Sequence, residues 1–321
     1  MKMNKILVAA FAIVLTLTMV NCSKDDVTGP SGYASFSITD APSDDSNIKG
    51  SFITVSDIKV DGISVKGFTK QTIEISAYQN GNAKELFKDK VEVGSYNDVT
   101  LILDHEKDEN GNEPGSYVLT NDNKKHKLAA SSNAQTAITL NKQFELKEDS
   151  TVNFVLDFDL RKSIVRDSSA NREHDYKFVT SAEMHNAVRV VNKDNYAEIK
   201  GKVTTSVEPN ANVYVFAYKK GEYNESVEKK GKGESGVLFA GAVTSAKVDN
   251  SGNYQFSFLE EGNYEVHVAQ FSQDSNGKYG FSGMFGARSK LVGVLLNNIS
   301  LTADARVELD IELEGNLGLF N

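Results

Sequence analysis

A polar loop in the first half of the chain has residue types that could bind a metal ion. The stretch DHEKDENGNEPGSY, residues 104–117, places Glu106, Asp108, Asn110 and Gly111 at the spacing of a calcium loop. The twelfth position is Tyr117, whereas such a loop needs a bidentate glutamate there. The sequence therefore leaves two interpretations open: a weak calcium site, or a long polar hairpin loop between two strands.

A second acidic group could take part in acid–base chemistry. Asp157 and Asp159 alternate along one strand with Arg161, and a pair of carboxylates is the catalytic unit of glycoside hydrolases. Residues at this spacing stand together on every strand, and on an exposed face they more often form cross-strand ion pairs. We expect an exposed polar face and no catalytic residue. The five histidines lack the spacing of metal ligands and are predicted to face solvent: His105, His126, His174, His185 and His267. No cofactor is expected.

The only cysteine, Cys22, follows an apolar segment directly. Residues 1–21 have the parts of a secretory signal peptide, with lysines at the front and an apolar run of 15 residues from Ile6 to Val20. The stretch Met19-Val20-Asn21-Cys22 resembles a bacterial lipobox, although Asn21 stands where a smaller residue is commoner. The resemblance implies that Cys22 becomes the lipidated first residue of the mature protein. A buried thiol after an ordinary signal peptide is the alternative.

Acidic residues follow the cysteine at once. Ser23-Lys24-Asp25-Asp26 is similar to the tetrad with which some Gram-negative bacteria send lipoproteins to the outer face of the outer membrane. An acidic, solvated tether is the competing interpretation. Residues 22–32 are thus predicted to be a lipidated cysteine and flexible tether, and the protein to be lipid-anchored in the outer membrane, facing outward.

Charge and cysteine content exclude several function classes. The formal net charge is −9, which argues against nucleic acid and against electrostatic binding to anionic lipid. A single cysteine leaves no intramolecular disulfide and no four-cysteine zinc site. The fold must therefore be stabilised by packed secondary structure.

The elements that position these residues are predicted to be strands. In STVNFVLDFDLRKSIV, residues 150–165, apolar residues from Val152 to Leu160 alternate with polar ones, which is typical of a strand with one buried face. Only residues 83–90 resemble a short helix. We predict an all-β protein with two antiparallel β-sandwich-type domains after a lipoprotein signal peptide.

Two resemblances divide the chain. SFSITDAPSDDSNIKGSFITVSDIKVDG at 35–62, then VGSY before VTLIL, FVLDFDLRKSIV and VRVVN at 188–192, resemble domain-of-unknown-function family 4382 over residues 33–192. This family implies an all-β domain of exported lipoproteins with no activity to transfer. SAKVDNSGNYQFSFLEEGNYEVHVAQF, residues 245–271, is similar to the hairpin of transthyretin-like and carboxypeptidase-regulatory-like sandwiches, which predicts such a module over residues 196–315. In it Tyr254, Phe256 and Phe258 are expected to share one inward face.

One glycine-rich segment resembles a contact surface. NGKYGFSGMFGARSK, residues 276–290, is predicted to be a flexible loop whose apolar side chains either contact a ligand or fold back as core: Tyr279, Phe281, Met284 and Phe285. Together these features predict a surface-displayed, lipid-anchored binding or adhesion protein without catalytic activity, with an extracellular polysaccharide or protein as ligand. A glycan-capture accessory lipoprotein, a two-carboxylate or metal-assisted hydrolase, and a filament subunit are the alternatives.

Overall fold

Strands dominate the protein, and the predicted all-β fold class is confirmed. The computed structural model describes residues 29–128, 134–167, 176–204, 211–273 and 279–316, with residues 279, 315 and 316 described by their backbone alone. The first half contains β1 (Ser31–Ala41), β2 (Ile48–Val60), β3 (Ile63–Ser64), β4 (Gln71–Glu74), a 3-10 turn (Ile75–Ala77), β5 (Lys84–Glu92), β6 (Gly94–Asp104), β7 (Tyr117–Thr120), β8 (Lys125–Lys127), β9 (Gln135–Leu146), β10 (Thr151–Asp159), α1 (Leu160–Ser163), β11 (Ile164–Arg166), β12 (Tyr176–Phe178), α2 (Ser181–Ala187) and β13 (Val188–Asn192).

The second half begins after a short connection. It contains β14 (Ala197–Thr204), β15 (Ala211–Lys219), α3 (Glu225–Glu228), β16 (Thr244–Lys247), β17 (Asn253–Leu259), β18 (Gly262–Gln273), β19 (Tyr279–Ser289), β20 (Ile299–Leu301), β21 (Arg306–Glu308) and β22 (Ile311–Asn316).

Two sheets enclose the core of the first half. One has the order β13-β10-β1-β5, and the other has the order β8-β7-β2-β6-β9 with β3 and β4 paired to β2. Side chains of both sheets meet in one apolar cluster that includes Phe36, Phe158, Ile53 and Leu101. Most pairings are antiparallel, but β1 runs parallel to β10 over nine residue pairs. This parallel pairing places the first strand of the half in the middle of its sheet.

The second half forms a nine-stranded sheet, in which seven strands have the order β16-β15-β18-β19-β22-β14-β17, β20 pairs with β18 and β21 pairs with β14. Its two faces bury separate apolar clusters. One includes Ile199, Tyr254 and Phe256, and the other includes Phe216, Phe239 and Phe271. Successive side chains of a β-strand point to opposite faces of the sheet, so each strand can contribute to both clusters.

The predicted common face of β17 is wrong at its last aromatic residue. Tyr254 and Phe256 point into the core, but Phe258 has a positive φ of 55° at an irregularity in the β14–β17 pairing. Its ring turns away from that core and packs against Val155 and Val191 of the first half. A backbone in the left-handed region changes which face the next side chains take.

Three segments differ from their predicted elements. Of residues 83–90, predicted as a helix, 84–90 belong to β5, which pairs antiparallel with β1. The predicted strand 150–165 stops at Asp159, whose side chain accepts a hydrogen bond from the Lys162 backbone amide at 3.2 Å and so begins the helical turn α1. Residues 276–290, predicted as a flexible loop, contain β19, which pairs with β18 and β22 in the interior of the sheet.

The loop 105–116 does not join the two strands of a hairpin. The strands on its two sides, β6 and β7, both pair with β2, at residues 54–60 and 48–52 respectively. The loop therefore connects two strands that pair with successive segments of β2 and not with each other. The predicted hairpin is wrong.

Candidate functional site

The polar face of β10 is buried, which contradicts its predicted exposure. Asp157, Asp159 and Arg161 are 5, 3 and 3% exposed. The alternation itself is correct, since Phe154, Leu156 and Phe158 fill the first core while Val155 contacts Phe258 of the second half. The second half covers the other face of β10. We call this contact the seam: Asp157, Asp159, Arg161, Lys162 and Arg189 on one side, and residues 238–245 and 257–258 on the other.

Cations of the first half bind backbone oxygens of the second half across the seam. The Arg161 guanidinium donates to the Leu238 carbonyl oxygen, and Lys162 Nζ donates to the Ala242 carbonyl oxygen at 3.0 Å. Arg189 donates to the Phe258 carbonyl oxygen at 2.7 Å. Hydrogen bonds to charged groups are stronger than neutral ones, so these contacts fix the two halves together.

Each of these cations also pairs with a buried carboxylate. Arg189 lies 2.5 Å from Asp157, while Arg161 and Lys162 lie 3.4 and 3.5 Å from Asp159. Burial lowers the pKa of Lys162, and the neighbouring Asp159 opposes this effect. Asp157 and Asp159, whose residue type and spacing are compatible with acid–base chemistry, are thus held in ion pairs at the contact between the halves.

Asp40, at the end of β1, adds a third carboxyl group to this region. It accepts hydrogen bonds from Gln79 Nε2 at 2.7 Å and from the Leu160 amide at 3.3 Å. Burial raises its pKa well above the ordinary value, and the nearby charges of Asp159 and Asp157 act in the same direction.

A cleft of about 240 Å³ opens at one end of the seam. Its walls come from both halves and combine charged with aromatic side chains. We refer to it as the cleft, and its main lining residues are Asp44, Asp45, Arg161, Arg166, Tyr176, Leu238, Phe271 and Phe281.

One wall of the cleft is a fixed polar group. Arg166 binds the Asp45 carboxylate through two hydrogen bonds, of 2.6 Å from Nε and 2.8 Å from Nη2. The Tyr176 hydroxyl donates to the same carboxylate at 3.1 Å, and the Arg166 guanidinium lies 5.5 Å from the Tyr176 ring centroid. A bidentate pair of this kind holds both side chains in one orientation.

Asp44 differs from Asp45 because its carboxylate lacks such a partner. No other described residue forms a hydrogen bond or an ion pair with it. Burial raises the pKa of Asp44 to about 6, against the opposing charge of Arg161. The cleft therefore contains a half-buried carboxylate with free acceptor positions.

The aromatic wall comes from the segment that was predicted to be a contact loop. Phe281 packs against Phe239 and Phe271, with ring centroids 5.4 and 6.0 Å apart, and lines the cleft. Met284 is buried in the same cluster, whereas Phe285 packs on the opposite face of the sheet. The structure thus separates the predicted residues, and of Tyr279 it describes only the backbone.

The calcium candidates do not converge on one point. Glu106 pairs with Lys127 at 2.5 Å, and Asp108 accepts hydrogen bonds from the amides of Asn110 and Asn112. Although desolvation opposes it, this hydrogen bonding holds the pKa of Asp108 below its ordinary value. Within the described part of the chain, no cluster of three or more histidine, cysteine or acidic side chains has metal-binding geometry.

The predicted exposure of the histidines is wrong for His105. This ring is fully buried, and its Nε2 lies 2.8 Å from the Thr136 hydroxyl. Burial lowers its pKa to about 4, against the opposing charge of Asp104. His185 is exposed, His126 and His267 are half-buried, and His174 lies outside the described residues.

The N-terminal predictions also concern residues that the structure does not describe, namely Cys22 and the stretch Ser23, Lys24, Asp25 and Asp26. Among the helices in the described ranges, none has the length and hydropathy needed to cross a bilayer.

Sequence reasoning missed the cleft because its walls are far apart in the chain. Asp44 and Asp45 follow Thr39-Asp40-Ala41-Pro42 at the end of β1, and in the sequence they contribute only to the resemblance to family 4382. The one available signal was the pair of adjacent acidic residues directly after a buried strand, since side chains at strand ends often line binding sites.

The fold and the cleft define a predominantly antiparallel all-β protein whose two halves share a buried polar contact. Residues 31–180 match the model of DUF4382, a domain of unknown function, so the predicted family resemblance of the first half is supported. A comparison with curated proteins finds no significant match.

Comparison with solved structures gives only distant matches. A leucine-rich repeat protein from Bacteroides thetaiotaomicron is 12% identical over 88% of this chain, at a TM-score of 0.19. This chain spans 27% of its length. BcpA, the major pilin subunit of Bacillus cereus, is 10% identical, and the match covers 88% of this chain and 70% of BcpA at a TM-score of 0.20. A candidate adhesin from Bacteroides ovatus is 9% identical, and the match covers 97% of this chain and 98% of the adhesin at a TM-score of 0.20. TM-scores this low carry no information on function.

Proposed function

We propose that this protein is a surface-displayed binding or adhesion protein without catalytic activity, anchored to the outer membrane through a lipid on Cys22. Its ligand occupies the cleft. The second half, residues 196–315, is proposed to be a transthyretin-like module that supplies one wall of this site.

The observation that supports a binding role is the unpartnered carboxylate of Asp44 beside aromatic rings in a cleft of fixed geometry. Binding sites combine apolar walls with a few polar groups that orient the ligand. By contrast, Asp157 and Asp159 are engaged by Arg189, Arg161 and Lys162, so the seam gives them a structural role.

Occupancy of the cleft can be tested by photocrosslinking on intact cells. The photoreactive residue p-benzoylphenylalanine would replace Phe281 in the cleft or, as the control, Val292, which is fully exposed elsewhere. We expect adducts from position 281 and far fewer from position 292. Equal labelling at both positions, or none at 281, would contradict a ligand site in the cleft.

The lipid anchor gives a separate prediction. Because acyl chains each add roughly 0.8 kcal/mol per buried CH₂, Cys22→Ala should move the protein from membranes to the soluble fraction. Cys22→Ser, which replaces the thiol with a hydroxyl of similar size, should also move the protein to the soluble fraction. Retention of both variants in the membrane would refute the anchor.

Outward display depends on the acidic tetrad and is tested by protease treatment of intact cells. We expect wild type to be digested and an Asp25→Ala/Asp26→Ala variant to be protected, while a periplasmic marker stays intact. Protection of both forms would place the protein on the periplasmic side.

A further inference from the structure

We propose that the cleft binds the terminal ring of a neutral sugar, with Asp44 accepting hydrogen bonds from ring hydroxyls and Phe281 contacting a C–H face of the ring. This inference rests on the proposed function and specifies its ligand class. It follows from the charge, the walls and the size of the cleft.

The charges that line the cleft balance one another. Asp45 is paired with Arg166, while Arg161 and Lys162 together balance Asp159 and Asp44. A phosphate or a carboxylate would meet Asp44, and an amine would meet two guanidinium groups. Burying a charge without a partner is costly, so a neutral polar ligand fits this balance better than an ion.

Hydroxyl groups suit the one carboxylate that remains open. An ionised carboxylate only accepts hydrogen bonds, and its two oxygens offer about four acceptor positions. Asp44 is bound by no other described side chain, so it can receive two adjacent hydroxyls. Asp45 and Tyr176 are already committed to one another and to Arg166, which keeps the wall beside Asp44 rigid.

The aromatic wall complements the other surface of a sugar. A pyranose ring has hydroxyls at its rim and C–H groups on its faces, so it needs a polar and an apolar partner at once. Phe271 and Phe281 meet edge to face at 6.0 Å, and their cluster with Phe239 fixes the Phe281 ring. Aromatic groups held in this way provide apolar area with little loss of conformational entropy.

The volume of the cleft limits how much of a ligand can enter. At about 240 Å³ it lies below the range of roughly 300–1,000 Å³ typical of pockets for drug-sized molecules. One ring can occupy it, and the rest of a chain would extend into solvent. A terminal sugar residue, and not the interior of a polysaccharide, is therefore the expected unit.

The test uses the full-length protein in detergent on a glycan array that presents neutral, amino and acidic sugars, with affinities for the best neutral oligosaccharide then measured by calorimetry. We expect binding to neutral termini. Asp44→Ala and Phe281→Ser should each weaken it at least tenfold, because each removes one of the two complementary contacts. Phe285→Ser, on the opposite face of β19, serves as the control and should bind like wild type.

Melting temperatures are recorded for every variant so that unfolding is not mistaken for loss of binding. Because Asp44→Ala replaces a half-buried side chain with a smaller one, we expect this variant to fold. Absence of sugar binding while crosslinking at position 281 persists would overturn the sugar class but not the binding site. Preference for charged sugars, or neutral binding unchanged in Asp44→Ala and Phe281→Ser, would also overturn it. Failure of crosslinking at position 281 would refute the proposed function itself.

Discussion

Single residues show how burial changes chemistry that the sequence presents as ordinary. His105 stands among charged residues in the sequence, yet its ring centroid lies 5.3 Å from that of Phe178, with Nδ1 buried and without a hydrogen-bond partner. The ring stays neutral in the folded protein because a charged imidazolium would lose its hydration. Residue type and spacing cannot reveal this, since the burial is produced by strands distant in the chain.

His105 predicts a pH dependence of stability. Its folded pKa of about 4 lies below the unfolded value of 6.5, so the unfolded state takes up a proton first as the pH falls. The stability that depends on the neutral ring is present above pH 6.5 and is lost towards pH 4. The loss is on the order of 3 kcal/mol.

The comparison is with His105→Gln, which can keep a hydrogen bond to Thr136 but does not titrate in this range. Urea unfolding between pH 7.5 and 4.5 should show a smaller decline for the variant than for wild type. Parallel declines would show that other groups dominate.

At the level of elements, the sequence predicted which side chains share a face of β10 but not whether that face is buried. The alternation along β10 correctly separated Phe154, Leu156 and Phe158 from Asp157 and Asp159. Whether the polar face met water depended on residues 238–245 and 257–258, about 80 to 100 positions later, which pack over it. Local pattern carries no information about such a contact, and charged residues on a strand are usually exposed.

The Arg189–Asp157 pair predicts a large effect on stability. Arg189→Leu should destabilise the protein by about 3–5 kcal/mol, because it leaves the buried Asp157 carboxylate without its cation. Arg288→Leu is the control, since Arg288 pairs with Glu312 on the surface and should change stability by less than about 1 kcal/mol.

A double variant separates charge from packing. Arg189→Leu/Asp157→Leu should recover part of the loss, because the unpaired charge is then absent. Denaturant midpoints for the four proteins provide the measurement. Equal effects of Arg189→Leu and Arg288→Leu would mean that the seam pair contributes no more than a surface pair.

For the whole molecule, the sequence indicated two units but not their contact. The all-β class followed from alternation, and the DUF4382 resemblance followed from motifs of the first half. The cleft could not be predicted, because its walls come from a turn after β1, from β11 and β12, and from β19. Only packing of the two halves brings these segments together.

The seam predicts that the two halves unfold in one step. Separating them would expose Phe258 and leave the cations of α1 without their carbonyl partners, so the halves stabilise each other. Calorimetry should give a single transition whose calorimetric and van't Hoff enthalpies agree. Two resolved transitions would show that the halves are energetically independent.

The central position of β1 has a mechanical consequence. This strand begins at Ser31, so Ser31 and Gly32 of the predicted tether belong to it, and it ends at Ala41, three residues before Asp44 in the cleft. Eleven residues of strand span about 35 Å. In the proposed lipid-anchored binding protein, a ligand that pulls on the cleft against the anchor at Cys22 would load β1 along its own axis. Its pairings with β5 and β10 share that load in shear, with many hydrogen bonds strained together instead of opening one after another.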